Sequence, residues 1–252
     1  MDDKFDIVIC LGPNDVNIIN LMINYTKNNI IGYRNIYIIP YDHNIKIDGC
    51  IIINENLFPF NKDTFINNVP SDKINYIYKW YLQQLLKLYS LFVIDGILDN
   101  VLIIDADTIF FKKTSFFENN IPLYNYGHEY HNYYFEHMKK LHPSLNKQDS
   151  NKCGICHHLL IQKKILIELF KLVEEYHNKP FYQVFIENID PSASNGTSEY
   201  EIYLNYILFY HSDKIKLRKL NFDNRPRNFS SIIDTTNDVN NDYHYISYHY
   251  WM

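Results

Sequence analysis

Several common features are missing from this 252-residue chain, and each absence excludes a class of function. No apolar run approaches the ~20 residues needed to cross a bilayer, so no transmembrane segment is expected. The opening Met1-Asp2-Asp3-Lys4 is acidic and leads straight into a strand-like run, unlike a signal peptide. A soluble cytoplasmic protein is the expectation, in the host cytoplasm if the protein is viral. No long basic stretch occurs, and 24 Lys and Arg face 29 Asp and Glu for a net charge of -5, which argues against a nucleic-acid partner. The densest basic run, Lys214, Lys216 and Arg218, alternates like the solvent face of a strand. Cysteine is limited to Cys10, Cys50, Cys153 and Cys156, read as reduced thiols. Cys153-Gly154-Ile155-Cys156-His157 matches the haem-attachment pattern, but that attachment requires export. No second Cys pair is present to complete a zinc site. Neither an internal repeat nor a linker appears, and the length suits one large α/β domain.

What is present is a strong bias toward Asn, Ile, Lys and Tyr, which implies an AT-rich genome such as that of a protozoan parasite or a large DNA virus. The hydrophobic pattern is clearer. Residues 5–11 read as a buried strand, punctuated by Gly12-Pro13-Asn14. A helix follows on Val16, Ile19 and Ile23. Asn35–Pro40 and Cys50–Asn54 read as further strands, so the chain opens β-α-β with parallel strands. Residues 73–93 form the clearest helix, with Ile74, Tyr78, Tyr81, Leu85, Leu88 and Phe92 on one face. Val101–Ile104 is a run of branched residues suited to a strand buried on both faces. Residues 124–142 read as loop and helix, and Ile155–Tyr176 contains an amphipathic helix. Ser198 with Glu201 forms a capping box. Residues 215–222 read as a strand, 223–242 as a polar loop or lid, and Tyr243–Tyr250 as a last strand.

The informative motif is Asp105-Ala106-Asp107, directly after the buried strand. In open α/β sheets, ligands bind beyond the carboxyl ends of strands. Two carboxylates one residue apart at such a place can share one hard divalent cation. Left buried and uncompensated they would be costly, so a metal or strong donors must accompany them.

The β-α-β start, the long helix and the Asp-x-Asp strand end together resemble the GT-A glycosyltransferases. Trp80-Tyr-Leu-Gln-Gln-Leu-Leu-Lys87, Val101–Asp107, Ile155-Cys-His-His158 and Ser198-Glu-Tyr-Glu-Ile-Tyr203, in this order, resemble a viral and bacterial group of glycosyltransferase-like proteins. The resemblance implies a GT-A, Rossmann-like single domain, with a mostly parallel central sheet flanked by helices. Residues 1–110 would be the nucleotide-sugar half and 111–252 the acceptor half. It further implies transfer from a nucleotide diphosphate-sugar, taken as a UDP-sugar, to a glycan or protein hydroxyl, with Mn²⁺ or Mg²⁺ on the diphosphate. Asp107 would ligate the metal, and Asp105 would hold the ribose and assist at the metal. Such enzymes often add a ligand from near the C-terminus, and strand alternation selects His249, with His244 in reserve. A mixed oxygen and nitrogen site favours Mn²⁺ over Ca²⁺.

Other candidates follow from position. Trp80, Gln84 and Lys87 share one helical stripe and would face the nucleotide, with Lys87 offsetting diphosphate charge; packing and solvation are the alternatives. Asn14 and Asp15 sit where the base would lie, although Asp15 equally suits a helix N-terminus. His157 and His158 would meet sugar hydroxyls or simply pack. Glu199, if Glu201 closes the cap, is the candidate base for the acceptor hydroxyl. The Tyr-rich segment around Glu129, Tyr130 and Tyr134 could stack its aromatic rings on sugar faces. Two other functions compete. One is a haloacid-dehalogenase-like phosphatase with Asp105 as nucleophile, disfavoured by how late the motif lies. The other is a non-catalytic nucleotide-sugar or glycan binder.

Overall fold

Phe5–Leu11, apolar except for Asp6, forms β1, every residue of it buried, and it becomes the middle of the main sheet. In this computed structural model, residues 3–228, 232, 235 and 242–252 are described. Met1 and Asp2 at the acidic start, and most of the polar stretch 229–241, lie outside the described residues. After β1 come α1 (Ile19–Asn29), β2 (Ile30–Ile31), β3 (Tyr33–Pro40) and β4 (Ile51–Ile52). Then follow α2 (Lys62–Asn68), α3 (Ile74–Val93), β5 (Asn100–Ile104), β6 (Thr108–Phe110), β7 (Thr114–Ser115), β8 (Phe117–Glu118) and β9 (Ile121–Asn125). The second half holds α4 (Asn132–Leu141), β10 (His158–Gln162), α5 (Lys163–His177), α6 (Phe181–Glu187), α7 (Glu199–Tyr210), β11 (Lys216–Arg218), β12 (Phe222–Pro226) and β13 (Tyr245–His249).

The main sheet has the order β10-β5-β1-β3-β4. β1 runs parallel to both β3 and β5, and β3 parallel to β4. Only β10 is antiparallel, against β5. The fold class is therefore the one expected: mixed α/β, with a mostly parallel central sheet and flanking helices. Val101, Leu102, Ile103 and Ile104 are fully buried because β5 has neighbours on both edges and side chains packed on both faces. Each such side chain contributes about 1.5–3 kcal/mol on leaving water.

The chain moves from β1 out to β3 and β4 on one side, then returns to place β5 on the other side of β1. Strand order thus reverses between β1 and β5. The carboxyl ends of these two strands flank the crevice where open α/β sheets bind ligands. Gly12–Asp15 and Asp105–Asp107 are the segments that emerge there.

The structure corrects several element boundaries. α1 begins at Ile19, after a short 3₁₀ turn at Pro13–Asp15. The third strand shortens to Ile51–Ile52. Residues 155–176 are not one helix: His158–Gln162 peel off as β10, since Leu159, Leu160 and Ile161 gain a full ladder against β5. The stretch 215–222 divides into β11 and the start of β12, and β12 runs on into what the polar composition marks as loop. Lys216 is exposed, but Arg218 is not on a solvent face: it lies over the Phe116 ring and donates to the Ser115 carbonyl at 2.5 Å. At Ser198 only the first half of the cap forms, with its hydroxyl accepting from Glu201 N at 3.2 Å. The Glu201 carboxylate turns instead to Lys147 and Asn205.

Candidate functional site

The Asp105-Ala106-Asp107 turn joins β5 to β6, closed by Thr108 N donating to the Asp105 carbonyl at 3.0 Å. Three neighbouring segments converge on it. β13 pairs antiparallel with β6 in the register Ser247↔Thr108, so its next residues run alongside the turn. Tyr248 N donates to the Asp107 carbonyl at 2.9 Å, which places His249 beside the motif. β12 pairs parallel with β13 up to Pro226↔His249, delivering Arg227 just beyond, with Arg227 N on the His249 carbonyl at 2.9 Å. On the other side the 153–158 segment is tied on by Asp105 N donating to the His157 carbonyl at 2.9 Å.

Glycine makes that last approach possible. A Cβ on Gly154 would stand 2.5 Å from the Tyr200 carbonyl oxygen, and one on Gly127 would stand 2.9 Å from the Ile155 carbonyl. Because neither exists, the start of α7 and the His157 segment can both crowd toward Asp105. His157 itself adopts φ 57°, the left-handed region, at a cost of about 1–2 kcal/mol for a non-glycine residue. Its side chain is thereby placed on the motif rather than in the adjoining strand.

Asp105 is fully engaged. Its Oδ1 accepts from Lys87 Nζ at 2.6 Å and from Tyr200 Oη at 2.7 Å, and its Oδ2 meets His157 Nδ1 at 3.2 Å. Lys87 also binds Glu199 Oε1 at 2.6 Å and lies over the Tyr200 ring. Burial works against each of these charges, and the neighbours decide the outcome. For Asp105, burial would raise the pKa, but Lys87 and His157 hold it well below the usual carboxylate range. For Lys87, burial would lower it, yet Asp105 and Glu199 keep the ammonium charged well above its ordinary value. Burial and the Asp105 charge push the Glu199 carboxyl up despite Lys87. His157 is likewise raised, its burial outweighed by Asp105.

Asp107 carries the second half of the site. Its Oδ2 lies 2.9 Å from His249 Nδ1 and 3.7 Å from Arg227 Nη2. Arg227 also binds Asp15 Oδ1 at 2.5 Å, the Asn14 carbonyl at 2.5 Å and the Tyr248 carbonyl at 3.0 Å. It therefore links the end of β1 to β13. Burial raises the Asp15 pKa, with Arg227 opposing. The His157 and His249 rings are 4.8 Å apart, and Trp251 stacks on His249 at 4.8 Å.

The predicted site residues thus sort by place. Asp105, Asp107, Lys87, Glu199, His157 and His249 form one continuous cluster, and Asp15 joins it through Arg227. Asn14 is exposed and contributes its backbone carbonyl. Trp80 and Gln84 do something else: both donate to the Thr197 carbonyl, at 3.2 and 2.9 Å, and so brace the segment that leads into Glu199. His158 sits among the rings of Phe110, Phe116 and Tyr245, its pKa lowered to about 3 by burial. His244 lies apart, accepting from Asn221 N. Tyr134 is buried while Tyr130 is exposed. Two residues of the cluster were not singled out from the sequence: Arg227 lies within the polar stretch 223–242, and Tyr200, though inside the Ser198–Tyr203 motif, is one of 23 tyrosines.

Among the described residues, no group of three or more His, Cys, Asp or Glu stands ready-arranged around a metal position. The donor chemistry nevertheless suits a cation. His157 Nε2 and His249 Nε2 are both buried without a hydrogen-bond partner. An orphaned buried polar atom costs about 1–3 kcal/mol, which a bound cation would relieve.

No family model matches the chain, and no curated protein matches it. Among solved structures it is similar to the galactosyltransferase LgtC in complex with donor and acceptor sugar analogs. The identity is 13%, the TM-score 0.45, and the alignment covers 96% of this chain and 86% of that one. An active-site mutant of LgtC aligns over the same shares at 12% identity and TM-score 0.45.

Proposed function

We propose that the protein is a metal-dependent glycosyltransferase. It moves a sugar from a nucleotide diphosphate-sugar, taken as a UDP-sugar, to a hydroxyl of a glycan or protein. The observation that carries this reading is the position of Asp105 and Asp107. They occupy the carboxyl end of β5 at the point of strand-order reversal, surrounded by Lys87, His157, Arg227 and His249. Hard oxygen donors, with the Lys87 ammonium and the Arg227 guanidinium gathered at such a crevice, suit a diphosphate.

In this reading Asp105, Asp107 and His249 hold Mn²⁺ or Mg²⁺. When bound, that cation stabilises the negative charge that grows on the departing diphosphate. The remaining work falls to the chain. Lys87 fixes Asp105 in its ionised form, and Arg227 presents a guanidinium whose planar fork matches phosphate oxygens. Asn14 and Asp15, at the end of β1, border the space for the base. Residues 1–110 supply the donor side and 111–252 the acceptor side, with Arg227 and His249 reaching back across. Glu199 is the base for the acceptor hydroxyl. Burial and the Asp105 charge push its pKa up despite Lys87, which suits it to take a proton. A phosphatase with Asp105 as nucleophile has no observation in its favour, and the motif lies late in the chain for that reading.

The test is release of UDP from UDP-sugars in the presence of Mn²⁺, with and without sugar acceptors. Asp107→Asn should abolish release while keeping the wild-type circular dichroism spectrum. Undiminished release by that variant would overturn the assignment.

A further inference from the structure

The crevice has an aromatic rim on the side of Glu199. α3 runs back against β5, joined to it through the short 94–99 connection, so its N-terminal end lies beyond the carboxyl edge of the sheet. Lys87 marks the level at which the helix meets Asp105. At about 1.5 Å per residue, Trp80 stands roughly 10 Å and Tyr76 roughly 16 Å further out along the helix, on the crevice side. The two are four residues apart and share a helix face. Trp80 is 40% exposed and Tyr76 84%, on a helix whose second half is packed into the core.

This rim is tied to the segment that carries Glu199. Trp80 Nε1 donates to the Thr197 carbonyl at 3.2 Å, Gln84 Nε2 donates to the same oxygen at 2.9 Å, and Thr197 Oγ1 donates to Gln84 Oε1 at 2.8 Å. Tyr81 Oη donates to the Ala193 carbonyl at 2.6 Å and accepts from Gly196 N at 3.3 Å. Residues 193–197 are thereby stapled to α3, with Ser194 and Asn195 exposed beside it. Thr197 lies two residues before Glu199, a backbone span of at most about 7 Å, roughly that of one or two sugar units. Bracing alone does not call for an indole here, because Gln84 already satisfies the Thr197 carbonyl. The polar edge of Trp80 is engaged inside the protein, and the surface it shows to water is apolar ring.

We propose that Trp80 and Tyr76 form a stacking platform for the acceptor, and that the acceptor is a glycan rather than a protein side chain. The inference rests on the reading of Glu199 as the acceptor base and names the substrate class for it. A sugar ring offers a C–H face to an aromatic ring and a rim of hydroxyls to polar neighbours, here Ser194 and Asn195. Two rings one helical turn apart suit successive sugars of a chain. Trp80 is already pinned at its edge, so little side-chain freedom is lost when a sugar stacks on it.

The experiment uses the full chain carrying Trp251→Phe, which leaves Trp80 as the sole indole. The probes are maltotetraose, cellotetraose and chitotetraose, each titrated to millimolar concentration. At least one should change Trp80 emission saturably. By calorimetry, Trp80→Ala and Tyr76→Ala should each raise its Kd about three- to tenfold, the value of one lost aromatic contact. Trp80→Phe separates stacking from bracing, since it keeps a ring and drops the hydrogen bond to Thr197; its Kd should stay near wild type. Tyr76→Ala removes an exposed ring and keeps the test valid where Trp80→Ala fails to fold. No saturable change with any of the three glycans, wild-type affinity in Tyr76→Ala or in folded Trp80→Ala, or equal losses in Trp80→Phe and Trp80→Ala each overturns the inference. A UDP response that needs Mn²⁺ and Asp107, with no glycan response, removes the platform and leaves the transferase reading standing. A glycan response that depends on Trp80, with no nucleotide response, sinks the transferase reading and keeps the platform.

Discussion

Replacing Lys87 by methionine removes the cation at the centre of the site and keeps most of the side chain's bulk. Its ammonium is 4% exposed and binds Asp105 and Glu199, each at 2.6 Å, plus the Tyr200 hydroxyl at 3.2 Å. In Lys87→Met two carboxylates would face each other, Glu199 at 4% exposure and Asp105 at 20%, with no lysine between them. Removing one partner from a buried ion pair costs about 3–5 kcal/mol, a large part of a typical folding free energy of about 5–15 kcal/mol. The same geometry fixes a pH signature. The Glu199 pKa is already raised in the wild type, by burial first and by Asp105, and losing Lys87 raises it further. A carboxyl whose folded pKa lies above its unfolded value binds protons more readily when folded. Its destabilising effect is therefore full above the folded pKa and fades as pH falls toward the unfolded value. The deficit read by urea unfolding should be larger at pH 7 than at pH 5. Lys87→Met/Glu199→Gln should recover part of the pH 7 loss. A single variant within 1 kcal/mol of wild type at pH 7, or a deficit that grows on acidification, would refute this account of the cluster.

Three other outcomes are expected. Arg227→Ala, which unlinks the end of β1 from β13, should raise the Kd for UDP about tenfold, the value of one charge-assisted hydrogen bond of about 1.5 kcal/mol; isothermal titration showing unchanged affinity would remove Arg227 from the diphosphate site. Gly154→Ala places a methyl 2.5 Å from the Tyr200 carbonyl oxygen and should destabilise by about 1–3 kcal/mol, read as a fall of several degrees in Tm; an unchanged Tm would mean that α7 can shift freely. Burial lowers the His137 pKa from 6.5 to about 4, against a hydrogen bond to the Phe185 carbonyl. Below pH 6.5 the unfolded chain therefore takes a proton that the folded one refuses, and stability drops by about 1.4 kcal/mol per pH unit down to about pH 4. His137→Gln should flatten that slope relative to wild type, and parallel slopes would exclude His137 as its source.

The parts of the fold readable from sequence were those where one physical signal dominates. Ile7–Leu11 and Val101–Ile104 are unbroken apolar runs because β1 and β5 are buried on all sides, and α3 carries a long stripe at helical spacing. Asp105 and Asp107 stood out because carboxylates directly after such a strand need compensation. β10 was hidden because Leu159–Ile161 abuts the apolar face of α5, and a short apolar run is equally compatible with helix or strand. Its identity depends on β5 lying alongside, a partner more than fifty residues away. Helical spacing grouped Trp80, Gln84 and Lys87 correctly on one face of α3, but it could not show that the stripe meets Thr197 at one end and Asp105 at the other. Strand alternation separated His249 from His244, and the structure places only His249 beside Asp107. Arg227 was invisible because its position depends on the β12–β13 pairing rather than on any local pattern.

The most direct test of the central claim is a thermal-shift screen of the purified protein against UDP, GDP, CDP and ADP, each with and without Mn²⁺. A ligand that binds only the folded state raises the melting temperature, by an amount set by about RT ln(1 + [L]/Kd) in free energy. The account predicts a shift with one nucleotide diphosphate, UDP, that requires Mn²⁺ and disappears in Asp107→Ala. No shift with any of the four, or a shift indifferent to both Mn²⁺ and Asp107, would contradict it.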